Sequence, residues 1–363
     1  LTLDPYLQYV AENALSQQVR GFHAQSGTAI VMNPYTGEIL ALANLPNYDP
    51  NRFWHYPASA LRNRAVMDAY EPGSTFKLVT AAAALESGKV SVYSRFSTHD
   101  SLQVGGRTIH NAEDGFLAGS GGSETLEDII AYSHNVGAAE VGMAIGGRAL
   151  YTMEQNGGFG TPTHIGLPGE NPGIVPPPAQ WSGSSLATMS FGQGVSVTPI
   201  AMARFYCAIA NGGTLVQPRI LRAILGTDGR TMYAYPTQTV RRVFSARTAA
   251  TLRKYLRTVV VRGTGNPAAQ VTGYTTAGKT GTAEIVENGH YEPGAYVASF
   301  IGMIPASAPR YVIYVKVERP QGAIYGSVVA APAFVKIAKS AMLHAGVLPA
   351  LPVRLVKPGK TTK

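Results

Sequence analysis

The order in which two kinds of hydrophobic pattern follow one another constrains this chain most. Near the start, "TAIVMN" and "EILALA" flank the turn signal "PYTG" and read as a β-hairpin. Near the end, "YTTAGKTGTAEIV", "AYVASFIGMI" and "RYVIYVKVE" are rich in Thr, Tyr, Val and Ile and read as three more strands. A block of helical character lies between. It contains "STFKLVTAAAALESG", closed at Gly88, and "SETLEDIIAYS", with Ser123 as its N-cap candidate. "TPIAMARFYCAIANGG", stopped by Asn211 and two glycines, and "SARTAATLRKYLRTVVV" complete it. Residues 1 to 20 read as an amphipathic helix, and "VVAAPAFVKIAKSAMLHAG" returns to helix after the last strand. Residues 155 to 185 are dense in Gly and Pro and read as loops. Hairpins at both ends predict an α+β fold, an antiparallel sheet with helices packed on it, rather than a doubly wound parallel sheet.

The 363 residues, 45% of them hydrophobic and 14% charged, are enough for one large domain or two ordinary ones with a real core. A formal net charge of +9 favours anionic partners, and is equally compatible with a plain basic surface. Cys207 stands alone in the apolar run "IAMARFYCAIA", which excludes an intrachain disulfide and reads as a buried structural thiol. No run of about 18 apolar residues and no signal peptide are present. The opening "LTLDPYLQYVAENAL" reads as a helix already under way, so a fragment or processed form is expected. "GSGGS" at 119–123 reads as a hairpin loop or a flexible linker, and residues 351–363 as a flexible basic tail. The histidines are scattered without metal-ligand spacing, so no metal and no cofactor is expected.

"GYTTAGKT", residues 273 to 280, matches the Walker A pattern letter for letter. A phosphate-binding loop must lead from a strand into a helix, whose N-terminus faces the phosphates. Here Lys279 and Thr280 are followed by "GTAEIV", a β-like run opened by Gly281. The lysine is therefore expected inside a strand, and neither nucleotide nor nucleic acid is expected as a partner. Lys279, Thr280, Gly281 and Thr282 at a sheet edge would instead offer a cation, two hydroxyls and free backbone groups. Gly281 would let an extended peptide carrying a carboxylate come close.

Far upstream, "EPGSTFK" places Ser74 and Lys77 three residues apart at a helix start, on one face. Serine is a weak nucleophile until a base takes its proton, and lysine serves as that base only when burial or a nearby cation lowers its pKa. Lys279 could be that cation. A third element, "YSHN", supplies Ser133 as a proton relay and Asn135 as a holder of a substrate amide. Each motif alone is a common pattern. Together, in the order S-x-x-K, S-x-N, K-T-G, they are the set of class A β-lactamases and penicillin-binding proteins.

The sequence resembles the transpeptidase domain of class B penicillin-binding proteins over almost its whole length. "AIVMNPYTGEILALANLPNYDPN", "NRAVMDAYEPGSTFK", "IGLPGE", "FGQGVSVTPIAMARFYCAIANGG" and "AGKTGT" look like the family's blocks in the family's order. The resemblance implies a β-lactamase/transpeptidase-like α+β fold: a five-stranded antiparallel sheet packed with helices, plus an α-helical lobe. One domain over 1–350 is expected, with the lobe at roughly 74–210 between the early and late strands. Ser74 is then the acylated nucleophile, Lys77 its base, and Ser133 and Asn135 the second motif. Lys279, Thr280 and Thr282 would bind the substrate carboxylate, and the N–H groups of Ser74 and Thr282 would form the oxyanion hole.

The implied activity is a peptidoglycan D,D-transpeptidase acting on stem peptides that end in D-Ala-D-Ala and acylated by β-lactams. The C-terminal blocks look more like septal, cell-division members than elongation ones. A membrane glycosyltransferase and cell-division proteins are then expected partners. The full-length protein is expected at the cytoplasmic membrane with its catalytic domain outside, while this fragment is soluble. Two departures stand out: His134, where many septal members carry a small residue, and the absence of the family's anchor and pedestal ahead of this segment. The alternatives are a D,D-carboxypeptidase, which differs in letting water rather than an amine attack the acyl-enzyme, and a serine β-lactamase or β-lactam sensor domain. A lactamase needs a glutamate that activates water, and Glu170 in "GLPGENPG" is the one tempting candidate.

Overall fold

The computed structural model of the chain describes residues 1–112, 122–287 and 289–349. The expected tail at 351–363 lies outside them, as does most of the "GSGGS" stretch. In chain order the principal elements are α1 (Pro5–Gly21), β1 (Ser26–Met32), β2 (Ile39–Leu45), α2 (Lys77–Glu86), α3 (Leu126–Tyr132) and α4 (Asn135–Ile145). They continue with α5 (Pro199–Ala210), α6 (Ala246–Arg262), β3 (Ala277–Glu287), β4 (His290–Ile304), β5 (Tyr311–Glu318) and α7 (Ala331–His344).

The five strands form one antiparallel sheet in the order β3-β4-β5-β1-β2. The late strands therefore join the early hairpin through β5 and β1, with Ala29 opposite Val315 on one side and Ala43 on the other. The β1–β2 turn is held by Asn33, whose Oδ1 accepts the Tyr35 N–H at 2.9 Å. Gly37 closes it at φ +72°, where a Cβ would come within 2.1 Å of the Gln217 carbonyl oxygen.

Both faces of the sheet are covered, which is why β1 is buried along its whole length. Ile30, Met32, Ile301 and Tyr314 look into the helical lobe, whereas Ala29, Val31, Phe300 and Val315 look into a second core closed by α1 and α7. That second layer brings the chain's first and last helices together: Tyr6 stacks on His344 at 4.6 Å, and His344 Nε2 lies 2.9 Å from Asp4 Oδ2. In the lobe, α2 is the central helix, with residues 77 to 84 all buried. Its run of alanines lets neighbouring helices approach on every side. Cys207 is buried in α5, as a structural thiol should be.

Two features differ from the sequence reading. Ser123 is not an N-cap: it lies in a short strand, Ser123–Thr125, paired with Arg95–Ser97. Thr125 caps α3 in a capping box with Asp128, because this Thr-x-x-Asp pair satisfies two orphan N–H groups at once. The region between β2 and β3 is also not only helical. Two-stranded ribbons stand at Ser101–Val104 with Arg107–His110 and at Ala223–Leu225 with Thr231–Ala234. Such strands are short and mostly exposed, so they leave no burial period to read.

Candidate active site

Ser74 sits in a single 3₁₀ turn, Gly73–Phe76, that runs straight into α2 at Lys77. Gly73 opens the turn at φ +52°, and Gly192 lies so close that a Cβ there would meet the Gly73 carbonyl oxygen at 2.3 Å. The "FGQG" segment thus packs backbone to backbone under the turn that carries Ser74. Lys77, at the first position of α2, is fully buried.

The "YSHN" stretch is the turn between α3 and α4. Ser133 ends α3 in the left-handed region, φ +64° and ψ 35°, and Asn135 begins α4. The Lys77 ammonium donates to the Ser133 carbonyl, to Ser133 Oγ at 3.3 Å and to Asn135 Oδ1 at 2.7 Å. Ser74 Oγ is not among these acceptors, so proton transfer requires Lys77 to exchange one of them. Catalytic hydrogen bonds commonly tighten only when substrate is present.

Lys279 lies inside β3, the edge strand, opposite Ile301 of β4. No helix follows it, which removes the phosphate-loop reading of "GYTTAGKT". Its Nζ donates to Ser133 Oγ at 2.9 Å. One hydroxyl therefore joins two lysines. With Lys77 neutral, Ser133 can donate to Lys77 while accepting from Lys279, the arrangement a proton relay requires. Thr280 Oγ1 is 2.7 Å from Thr264 Oγ1, and Thr282 is half-buried beside the turn that carries Ser74.

Gly281 serves a different purpose from the one its position suggested. A Cβ there would come within 2.3 Å of Ser299 Oγ and 2.9 Å of the Thr75 methyl. The glycine lets β3 press against the turn that carries Ser74 from the inside of the fold.

Burial, reinforced by the charge of Lys279, pushes the Lys77 ammonium well below the usual lysine range, with Glu124 opposing. Burial alone pushes Lys279 down to about 7. Both lysines are thus held below the ordinary lysine range, and a carboxylate beside Lys279 would favour its charged form.

Hydrogen bonds join Lys77, Ser133, Asn135 and Lys279 in one cluster, and Ser74 stands in the turn directly ahead of Lys77. The structure also adds residues the sequence did not point to. Asn111 Oδ1 accepts the N–H groups of Asn135 and Val136 at 2.8 and 3.1 Å and so caps α4 from outside the helix. The His110 carbonyl accepts Asn135 Nδ2 at 3.0 Å, an interaction that a substrate amide would displace. His110 ends the second strand of the ribbon and Asn111 follows it, and only tertiary contact reveals them. A cleft of about 200 Å³ lined by Arg107, His110, Asn135 and Gln193 adjoins the site. A larger cavity of about 770 Å³ lies along the last residues of β3, lined by Glu71, Glu284 and Arg319, and Asn135 is the member of the motif set that lines the smaller cleft.

Glu170 is tied into its own loop, accepting from Thr163 N, Thr163 Oγ1 and His164 N. It is held as a loop brace rather than as a free base. Among the described residues, no group of three or more His, Cys, Asp or Glu could hold a metal ion.

Residues 27–339 match the family model of the penicillin-binding protein transpeptidase domain. Probable peptidoglycan D,D-transpeptidase PbpC of Pseudomonas aeruginosa is 36% identical over 92% of this chain and 56% of its own length. Penicillin-binding protein PbpB of Mycobacterium tuberculosis is 39% identical over 88% of this chain and 48% of its own length. The chain thus spans about half the length of such curated relatives. Among solved structures, penicillin-binding protein 3 of Mycobacterium tuberculosis, complexed with aztreonam, superposes with a TM-score of 0.87 at 36% identity, covering 97% of this chain and 80% of that one. The transpeptidase domain of penicillin-binding protein 3 from Burkholderia pseudomallei gives 0.83 at 33%, covering 97% and 98%. On this fold, this ordered motif set and these matches, the chain belongs to the penicillin-binding protein transpeptidase domain family, of the class B type.

Proposed function

We propose that this chain is the catalytic part of a peptidoglycan D,D-transpeptidase. Ser74 Oγ attacks the carbonyl carbon of the penultimate D-Ala of a donor stem peptide, and Lys77 takes the hydroxyl proton. The oxyanion is held by the N–H groups of Ser74 and Thr282. As the C–N bond breaks, the proton passes through Ser133 to the leaving D-Ala amine. An acceptor amine then attacks the ester, restores Ser74 and completes the cross-link. Asn135 orients the donor amide, and Lys279, Thr280 and Thr282 bind the terminal carboxylate. A β-lactam enters the same path, but its opened ring stays tethered, so the acyl-enzyme persists.

One observation carries this reading: two buried lysines converge on the single hydroxyl of Ser133. The relatives' names support the substrate, and solved relatives bound to aztreonam and ampicillin support the β-lactam chemistry. We further infer a role in septal cell-wall synthesis, beside a membrane glycosyltransferase and cell-division proteins, with the catalytic domain on the outer side of the cytoplasmic membrane; the relatives' names as penicillin-binding proteins support the cell-wall part of this reading. Among the described residues no helix is long and apolar enough to cross a membrane.

The test is intact-mass spectrometry after incubation with a penicillin. A gain of one drug mass that persists for minutes and is lost in Ser74→Ala supports the reading. Rapid drug turnover would place the chain with the lactamases. Product analysis with a stem peptide and an amine acceptor separates transfer to the amine from hydrolysis.

A further inference from the structure

The turn that serves Lys77 has to hold an unfavourable shape. A residue with a Cβ in the left-handed region, as Ser133 is, is strained unless its surroundings fix it. The residue in the middle of the turn does the fixing. His134 is the N-cap of α4, yet its side chain makes no capping bond. Its Nδ1 lies 2.5 Å from Glu124 Oε2, and both side chains are almost wholly buried, at 9% and 4% exposure. The imidazole stacks on Tyr132 at 5.9 Å. Helix α4 closes over the carboxylate: a Cβ on Gly137 would come within 2.5 Å of Glu124 Oε1. The missing helix cap is supplied by Asn111 instead, which leaves the imidazole free for Glu124.

The pair also sits within electrostatic reach of the base. Lys77 on α2 feels Glu124 from the short strand Ser123–Thr125 and Lys279 from β3, with opposite signs. Glu140 on α4 also feels Glu124. We propose that the buried Glu124–His134 pair is a positioning element of the acylation step, pinning the Ser133–Asn135 turn from beneath and placing a negative charge near Lys77 to offset Lys279. This rests on the acyl-transfer reading above. Neither residue touches the reacting atoms, so both act through Ser133 and Lys77.

The test is the second-order acylation rate with one β-lactam as a function of pH, together with the melting temperature of each variant. Lys77 must be neutral to act as base, so its titration forms the acid limb of the profile. Glu124→Gln keeps an oxygen for the imidazole but removes the charge, and the limb should move down by about one pH unit, the effect of one nearby charge at an effective dielectric of about 20. His134→Ala leaves a buried carboxylate unpartnered; the limb should move up and the rate at neutral pH fall about tenfold or more. His134→Gln restores a donor and should recover most of the loss.

The proposal is overturned if the limb stays in place in both Glu124→Gln and His134→Ala, whether their rates hold or fall only with the folded fraction. Should Glu124→Gln not fold, the two His134 variants decide alone: limb shift in Ala with rescue in Gln supports the proposal, and equal losses with an unmoved limb overturn it. Absence of any drug adduct on the wild-type chain is a separate outcome, which would sink acyl transfer itself.

Discussion

Lysines are fully buried in two regions of this molecule, and the regions treat them in opposite ways. On β5, Lys316 is paired with Glu318, and its ammonium lies 4.8 Å from the centre of the Tyr70 ring. Burial works against the Glu318 charge, but Lys316 and the Ser26 hydroxyl hold its carboxyl below the usual range. In the cleft, Lys77 and Lys279 are just as buried, yet their acceptors are hydroxyl, carbonyl and amide oxygens. Without a carboxylate partner both are pushed down in pKa. Burial of a lysine is therefore not by itself a mark of function. Burial with no carboxylate bonded to the ammonium is a mark of it, because the proton is then easily moved.

The largest effect that would break this contrast is on chemistry. Lys77→Arg keeps a cation that cannot act as a base, so acylation should fall by about 10²–10⁴-fold, read from the second-order rate with one β-lactam. Near wild-type acylation would remove Lys77 from the role of base. Lys279→Arg should retain more activity than Lys279→Ala, since it keeps the charge that a carboxylate needs.

Stability should separate the regions by sign. Lys316→Met leaves Glu318 without its cation and should destabilise by about 3–5 kcal/mol. Lys279→Met removes a cation whose burial is uncompensated and should stabilise at neutral pH, by on the order of 1–4 kcal/mol. Denaturant unfolding of both variants checks this, and a loss of stability in both would erase the distinction.

The pH dependence sharpens it further. Folded Lys279 titrates near 7 and unfolded lysine near 10.5, so between those values the unfolded chain binds more protons. Stability should therefore rise with pH through that window, by up to about 1.4 kcal/mol per unit from this one group, and Lys279→Met should flatten the slope. The smallest effect expected is at the capping box. Thr125→Ala should cost about 1 kcal/mol of stability and leave the pH profile of acylation in place, because it holds the helix before the catalytic turn and carries no charge.

Much of the architecture was legible along the chain. The Ala-rich run of α2, the β1–β2 hairpin and the three late strands are each runs of strongly helix- or strand-favouring residues, and each formed where its run lay. The ribbons at 101–110 and 223–234 were not legible, since strands of three or four exposed residues leave no period. Ser123 misled for a related reason: a capping residue looks the same whether or not a neighbouring strand needs its backbone.

The site divides in the same way. Ser74, Lys77, Ser133, Asn135 and Lys279 were visible because chemistry demands those residue types in that order. Asn111, Glu124 and the use of His134 were invisible, because a side chain that caps a helix or pairs a charge from another element has no local signature. Gly281 shows the limit inside a motif: its position was readable, but the atoms it makes room for are Ser299 and Thr75, which come from β4 and from the turn that carries Ser74.

By itself, then, the sequence determined the fold class, the strand that carries Lys279 and the ordered motif set from which the reacting groups are proposed, since residue propensity and residue chemistry are local properties. Only the tertiary structure decided which lysines lack a counter-charge, which hydroxyl joins them and what holds the turn at Ser133. Those depend on desolvation and on distances between residues tens to hundreds of positions apart, and neither is written in any one segment of the chain.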